Sequence, residues 1–151
     1  MDRLLDEIES YWSTRTEGYS EVNEKELKGM QKKAWLKTLE SGFLEKKLSD
    51  NDKEQLRILD IGTGPGFFPM ILAEAGYHVT AVDYTPGMLE KAAENAAKFI
   101  GEKSSNIEFK RMDAQALEFE DESFDVIISR NLTWNLPHPD QAYGEWLRVL
   151  K

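Results

Sequence analysis

A glycine-rich turn flanked by carboxylates holds the chemistry of this chain. Asp60 lies in the run Ile58-Leu59-Asp60-Ile61, and Gly62-Thr63-Gly64-Pro65-Gly66-Phe67-Phe68 follows it. A run with β-branched residues, then glycines at alternate positions, then a helical pattern predicts a strand, a tight loop and a helix. Glycines at 62, 64 and 66 permit positive φ and carry no Cβ, so a ligand can lie against the backbone. The start of the next helix offers unpaired N–H groups and a positive dipole end, which favour the carboxylate or phosphate of a nucleotide-like ligand. Spacing separates two ligand classes. A dinucleotide fingerprint G-x-G-x-x-G beginning at Gly62 needs its third glycine at position 67, where the bulky Phe67 stands. Asp83 ends a second apolar run, where a short carboxylate can accept hydrogen bonds from both hydroxyls of a ribose. An acid there also serves dinucleotide proteins, so it speaks for adenosine more than for a reaction; its other reading is a charge favoured by the next helix dipole.

The order D-x-G-x-G-x-G from Asp60 to Gly66 resembles motif I of the class I S-adenosylmethionine-dependent methyltransferases. Three further segments continue the resemblance in order: Val79-Thr80-Ala81-Val82-Asp83 with Thr85-Pro86-Gly87-Met88-Leu89, then Arg111-Met112-Asp113-Ala114, then Ser123-Phe124-Asp125-Val126-Ile127-Ile128-Ser129. Four ordered segments are far more specific than one glycine loop, and they span residues 55–151. The resemblance implies S-adenosyl-L-methionine as cofactor. It implies that Asp60 holds the methionine ammonium, directly or through water, with Gly62, Thr63, Gly64 and Gly66 forming the loop beneath the amino-acid moiety. Asp83 would then take the ribose, and Asp113 the adenine amino group, with the backbone N–H of Ala114 on a ring nitrogen. Tyr84 and Met88 either flank the adenine or belong to the core.

After the fourth strand, Ser129, Arg130 and Asn131 come to the edge of the cofactor pocket, where the family's reactive methyl group is faced. No Asn/Asp-Pro-Pro-Tyr sequence follows, which argues against a nucleobase amino group as acceptor. The run Ser129-Arg130-Asn131-Leu132-Thr133-Trp134-Asn135-Leu136-Pro137 is similar to small-molecule methyltransferases instead. Trp134 stacks on a substrate or packs under its loop. Tyr11 and Tyr19 resemble the N-terminal aromatics that shape the acceptor pocket in related enzymes, or they anchor a surface helix. No Ser/His/Asp arrangement is present, and neither His78 nor His138 has a metal-ligand partner at suitable spacing. A sulfonium already carries a strong electrophile, so alignment and exclusion of water suffice for much of the acceleration. No catalytic base is assigned.

These groups need a scaffold. Leu4, Leu5, Ile8, Tyr11 and Trp12 share one face of a first helix ending before Gly18, and Leu27, Met30, Ala34, Trp35, Thr38 and Leu39 share one face of a second that stops at Ser41-Gly42. Residues 1–48 read as a helical cap and 55–151 as the cofactor-binding core, within one compact domain. In the core, strands are expected before residue 62, over 77–82, over 107–112 and over 124–129. They alternate with helices from 67 to Gly76, from Pro86 to Gly101 with Thr85 as N-cap, and from about Pro139 onward. A short helical turn is expected near 114–117. Alternation of this kind predicts an α/β, Rossmann-like parallel sheet with helices on both faces. The resemblance adds the strand order 3-2-1-4.

The 151 residues, 40% of them hydrophobic, suffice for a real core. A net charge of −9 repels phosphate backbones and anionic membrane surfaces, so neither nucleic acid nor membrane is expected as a partner. The absence of cysteine excludes disulfides and thiolate-held metals. An acidic start without an apolar run argues against a signal peptide and for the cytoplasm. A full class I domain continues through a fifth parallel strand and an antiparallel hairpin, while this sequence stops at Lys151. The fourth strand is therefore expected at an open sheet edge, a pairing hazard unless cap helices, a second copy or another polypeptide covers it. A homodimer through that strand is the favoured outcome. The alternative to an active methyltransferase is a truncated or inactive cofactor-binding module that needs self-association or a partner.

Overall fold

The computed structural model describes residues 3–48, 52–130 and 132–151. Four strands form one parallel sheet: β1 (Arg57–Ile61), β2 (His78–Asp83), β3 (Ile107–Arg111) and β4 (Val126–Ser129). Their order is β3-β2-β1-β4, as the resemblance implied. β1 is central and buried from Ile58 onward because helices cover both of its faces. Pairing places Asp60 beside Ala81 on β2 and Ile128 on β4, and Asp83 beside Arg111 on β3. The carboxyl ends of all four strands thus open on one rim of the sheet.

Among the described residues seven α-helices surround it: α1 (Arg3–Ser13), α2 (Thr16–Lys28), α3 (Gln31–Leu39), α4 (Glu45–Leu48), α5 (Phe67–Glu74), α6 (Pro86–Ile100) and α7 (Pro139–Val149). On one face, Phe67, Phe68, Ile71 and Leu72 of α5 pack with Ile58, Val79, Val126 and Ile128, and Leu39 and Leu44 join from the N-terminal segment. On the other, Leu59, Ile61 and Val82 meet Phe124, Val149 and the partly buried Trp146. The alternation of Ile58 and Leu59 between these clusters is the strand period of two. α5 is buried from Phe67 to Ala73, wedged between sheet and cap. Pro69 falls in its first turn, where the missing N–H has no helical partner to lose. α6 starts with Pro86 in its first turn and buries Met88, Ala92, Asn95 and Ala96, a stripe at helical spacing.

Several expectations fail locally. The N-terminal helix breaks at Thr14-Arg15, and Gly18 lies inside α2 instead of ending a helix. Glycine weakens a helix interior by about 1 kcal/mol, but Ser20 and Asn23 of α2 are buried against the core and override it. The second break is at Gly29-Met30, leaving Met30 89% exposed and away from the apolar face assigned to it. The chain does not stop at Gly42; it continues through a wide π-helical turn, Glu40–Leu44, into α4. Thr85 holds the N-cap position of α6 without a side-chain capping bond; its backbone N–H donates to Asp83 Oδ1 at 2.9 Å and its hydroxyl turns to the same carboxylate. Residues 114–117 form a tight turn and no helix. Asp113 Oδ1 accepts the N–H of Gln115 at 2.9 Å, a side-chain-to-backbone bond that competes with helix formation.

β4 stands at the sheet edge. It is shorter than expected and buried only at alternate positions, with Ile127 and Ser129 partly exposed. The cap segment covers one face of β4 through Leu39 and Leu44, but does not pair with its edge. Just ahead of the strand, Phe124 bridges in parallel to Leu150, with Phe124 N–H donating to Val149 O and Lys151 N–H to Phe124 O, both at 2.9 Å.

Candidate functional site

At the carboxyl rim a crevice of about 490 Å³ lies between the core and helices α1 and α2. That volume falls within the range of roughly 300–1,000 Å³ usual for small-molecule pockets. Asp60, Gly62, Thr63, Gly64, Asp83, Tyr84, Met88, Asp113, Ala114 and Arg130 all line it. The strand order sets out the acids along the rim: Asp113 after β3, Asp83 on β2, Asp60 on β1.

The loop after β1 is held by its own amides. Val82 O accepts from Gly62 N–H at 2.9 Å and from Thr63 N–H at 3.0 Å, Asp83 Oδ2 accepts from Gly64 N–H at 2.8 Å, and Thr63 O accepts from Gly66 N–H at 3.1 Å. Pro65 has no N–H. The loop therefore offers no free amide between 62 and 66 for a phosphate, so any anion site would rest on the start of α5, where the sequence placed it. A ligand here must be recognised by carboxylates and by shape. The three glycines, all at positive φ, do different work. A Cβ at Gly62 would stand 2.8 Å from Leu132 Cδ2, and one at Gly66 would stand 3.1 Å from the Ala92 Cβ of α6, so these two permit packing. At Gly64 nothing lies within 4 Å of such an atom: this is the position open to a ligand.

Asp60 is 2% exposed, and its Oδ2 accepts the Thr63 hydroxyl at 2.6 Å. Burial pushes its carboxyl up to about 7, opposed by the Thr63 bond and assisted by the negative charge of Asp83. Asp83 is also raised by burial, and its bonds from the Thr85 and Gly64 amides oppose the shift. Each Asp83 oxygen carries one amide donor and retains acceptor capacity for a hydroxyl. Two acids this close, one of them poorly solvated, suit a ligand with hydroxyl donors and a cationic end. Asp113 keeps Oδ2 for a further donor while Oδ1 serves Gln115.

Other assigned residues lie elsewhere. The Ser129 hydroxyl donates to Ile61 O at 3.0 Å, tying β4 to β1 outside the crevice lining, and Gly66 likewise lies behind the loop against Ala92. Arg130 reaches the crevice but its guanidinium is engaged by Glu26 of α2 at 2.9 and 3.2 Å and lies 5.0 Å from the Trp35 ring centre. Asn131 and the side chain of Trp134 fall outside the described residues. Tyr19 lines the crevice with its ring edge-on to Trp12 at 4.9 Å, whereas Tyr11 is 48% exposed beside Arg15 and outside the lining.

Sequence reasoning missed Asn23, Glu26, Leu132, Asn135 and Leu136, all of which line the crevice. No motif marks them. Asn23 and Glu26 come to the crevice through a tertiary contact: Asn95 Nδ2 donates at 3.1 Å both to Ser20 Oγ and to Pro65 O and so docks α2 on the glycine loop. Among the described residues no group of three or more His, Asp or Glu could hold a metal ion, and no helix is long and apolar enough to cross a membrane.

Residues 58–151 match the sequence family described as a methyltransferase domain. The chain belongs to that family. Within it, the chain is 38% identical over 95 residues to a demethylmenaquinone methyltransferase of Clavibacter sepedonicus, covering 63% of this chain and 37% of the relative. Among solved structures, the YcgJ protein of Bacillus subtilis is similar, with a TM-score of 0.60 and 32% identity over 72% of this chain and 44% of that one. An arsenic(III) S-adenosylmethionine methyltransferase of Chlamydomonas reinhardtii gives a TM-score of 0.58 and 34% identity over 65% of this chain and 36% of its own. This methyltransferase domain thus spans well under half the length of these relatives.

Proposed function

We propose that this domain binds S-adenosyl-L-methionine in the rim crevice and serves methyl transfer to a small-molecule acceptor in the cytoplasm. The observation that carries the reading is the buried Asp60 and the partly buried Asp83 flanking a glycine loop whose amides are all engaged internally. That arrangement favours an adenosine ligand with hydroxyls and a cationic tail over a phosphate-bearing dinucleotide. The open space at Gly64 and the volume of the crevice fit such a ligand.

In this reading Asp83 accepts the ribose hydroxyls, Asp60 faces the ammonium, and Asp113 with the Ala114 N–H addresses the adenine, while Tyr84 and Met88 bound its faces. The cofactor supplies an activated methyl group. The chain's own contribution is to hold the adenosine end over β2 and β3, to leave the β4 side of the crevice for the acceptor, and to exclude water with Ile8, Trp12 and Tyr19. A largely apolar lining and the net charge of −9 support a small organic acceptor over nucleic acid. The two methyltransferase relatives act, by their names, on demethylmenaquinone and on arsenic(III), which accords with that choice. The test is formation of S-adenosylhomocysteine against a metabolite panel. Turnover with a small molecule is expected, and cofactor binding without turnover on any panel member would contradict the enzymatic reading.

One observation favours a second reading, a cofactor-binding module that acts only after pairing with another chain. The outer edge of β4 is bridged just ahead of the strand, at Phe124, while the strand itself pairs with β1 alone among the described residues. A homodimer through this edge is the form we propose for that pairing.

A further inference from the structure

On the β4 side of the crevice stands a polar group that the reading above leaves unused. Asn135 ends the short turn Thr133–Asn135 that follows β4, and its backbone N–H donates to Leu132 O at 2.9 Å. Its Nδ2 is buried and has no acceptor; among the described residues it is the single buried side-chain nitrogen or oxygen in that state. A buried donor without a partner costs about 1–3 kcal/mol, and folded proteins pair the great majority of such groups.

The crevice acids all have partners in the protein, Glu9 lying 3.6 Å from Arg111, and the capacity left on Asp83 and Asp113 is what the adenosine would use. Asp60 is bonded to Thr63, Asp83 to Gly64 and Thr85, Asp113 to Gln115, and Glu26 to Arg130. Asn135 shares the crevice lining with the apolar Leu132 and Leu136 of its own loop and Ile8, Trp12 and Val22 of the cap, and with the polar Glu9 and Asn23. Asn135 itself lines the crevice, and the terminal torsion of an asparagine is soft, so the donor can adjust to a ligand held there.

We propose that Asn135 selects the methyl acceptor, its side-chain amide donating to an oxygen carried by an otherwise apolar molecule. The proposal rests on the methyltransferase reading for the location of the cofactor: Asp113, Asp83 and Asp60 follow the order β3, β2, β1, so the space beside β4 is left for the second substrate. A bare hydrocarbon leaves the amide unpaired, whereas an aryl ether, phenol or ketone of the same shape satisfies it. Discrimination by such a group is strong because rejection comes from the stranded donor.

The test compares 2-methoxynaphthalene with the near-isosteric 2-ethylnaphthalene by ligand-observed NMR titration into the full chain saturated with S-adenosylhomocysteine. The wild type is expected to prefer the ether by about tenfold, the value of one hydrogen bond. Asn135→Leu should abolish the preference, and Asn135→Ala, which removes the amide without adding apolar bulk, should abolish it too if the leucine variant fails to fold. The affinity for S-adenosylhomocysteine should stay within threefold in both variants. Equal binding of the two probes by the wild type, binding of neither, or a preference that survives both substitutions would overturn the proposal. So would a large loss of S-adenosylhomocysteine affinity in the variants, which would assign the donor to the cofactor. Failure of the wild type to bind S-adenosylhomocysteine registers before any probe is added and strikes the methyltransferase reading itself.

Discussion

The carboxylate of Asp83 accepts the backbone N–H of Gly64 at 2.8 Å, so the acid at the end of β2 holds the tip of the loop that follows β1. One side chain thereby shapes the loop and presents an acceptor to the crevice. Replacing it with alanine removes both. Asp83→Ala should weaken S-adenosylmethionine binding by about 2–3 kcal/mol, a factor on the order of 30–150, as a charge-assisted pair of hydrogen bonds is lost. It should also lower the melting temperature without ligand, since the Gly64 and Thr85 amides lose their acceptor. Calorimetric titration and thermal denaturation read the two effects separately.

Asp60 makes the site sensitive to pH. Its carboxyl is raised to about 7 by burial, so it is neutral in acid and becomes charged as pH passes that value. Because the folded-state value lies above the unfolded one, its contribution to stability is fully present below about pH 4 and is lost as pH rises through about 7. A ligand ammonium needs the charged form, so cofactor binding works in the opposite direction. Affinity should rise up to about tenfold per pH unit between about 5 and 7 and then flatten, with up to one proton released on binding. Titrations in buffers of different ionisation enthalpy measure that proton; Asp60→Asn should remove both the slope and the release.

The glycines of the loop should respond differently to alanine. Gly66 has φ +93° and a Cβ there would press on Ala92 at 3.1 Å, so Gly66→Ala should cost about 2–3 kcal/mol of stability. Gly64 has φ +56° and open space, so Gly64→Ala should cost about 1 kcal/mol of stability while weakening the cofactor more than tenfold by intruding on its place. Equal effects on stability and binding at the two positions would contradict the assignment of separate roles.

The four strands and Asp83 were legible because strand period, loop glycines and a strand-end carboxylate are local signals, whereas the order β3-β2-β1-β4 and the placing of Asp60 and Asp113 on the rim came from the resemblance. What was not legible depends on tertiary contact. Gly18 does not end a helix, because burial of Ser20 and Asn23 holds α2 together through it, and the break falls at Gly29-Met30 instead. That Val82 O and Asp83 Oδ2 take the amides of Gly62, Thr63 and Gly64 is a tertiary arrangement that no spacing rule reveals. Ser129 was placed in the crevice by its position after the fourth strand, but its hydroxyl finds the last carbonyl of β1 first.

Arg130 and Glu26 join the end of β4 to α2, with Arg130 a third exposed and Glu26 12% exposed at their side chains. Removing the acid leaves a half-buried guanidinium among Trp35, Phe67 and Phe68. Glu26→Ala should therefore destabilise by about 1–2 kcal/mol, between the surface and buried limits for ion pairs. A double-mutant cycle with Arg130→Met should show that the loss belongs to the pair; additive losses would show that it does not.

The account stands on the rim crevice being an adenosine site with a cationic tail. Titrating the protein with S-adenosylmethionine in a calorimeter near neutral pH addresses this most directly, with NADH as the comparison ligand. One site per chain, with a dissociation constant between about 1 μM and 1 mM and no heat from NADH, is the predicted result. Saturable binding of NADH with none of S-adenosylmethionine would contradict it.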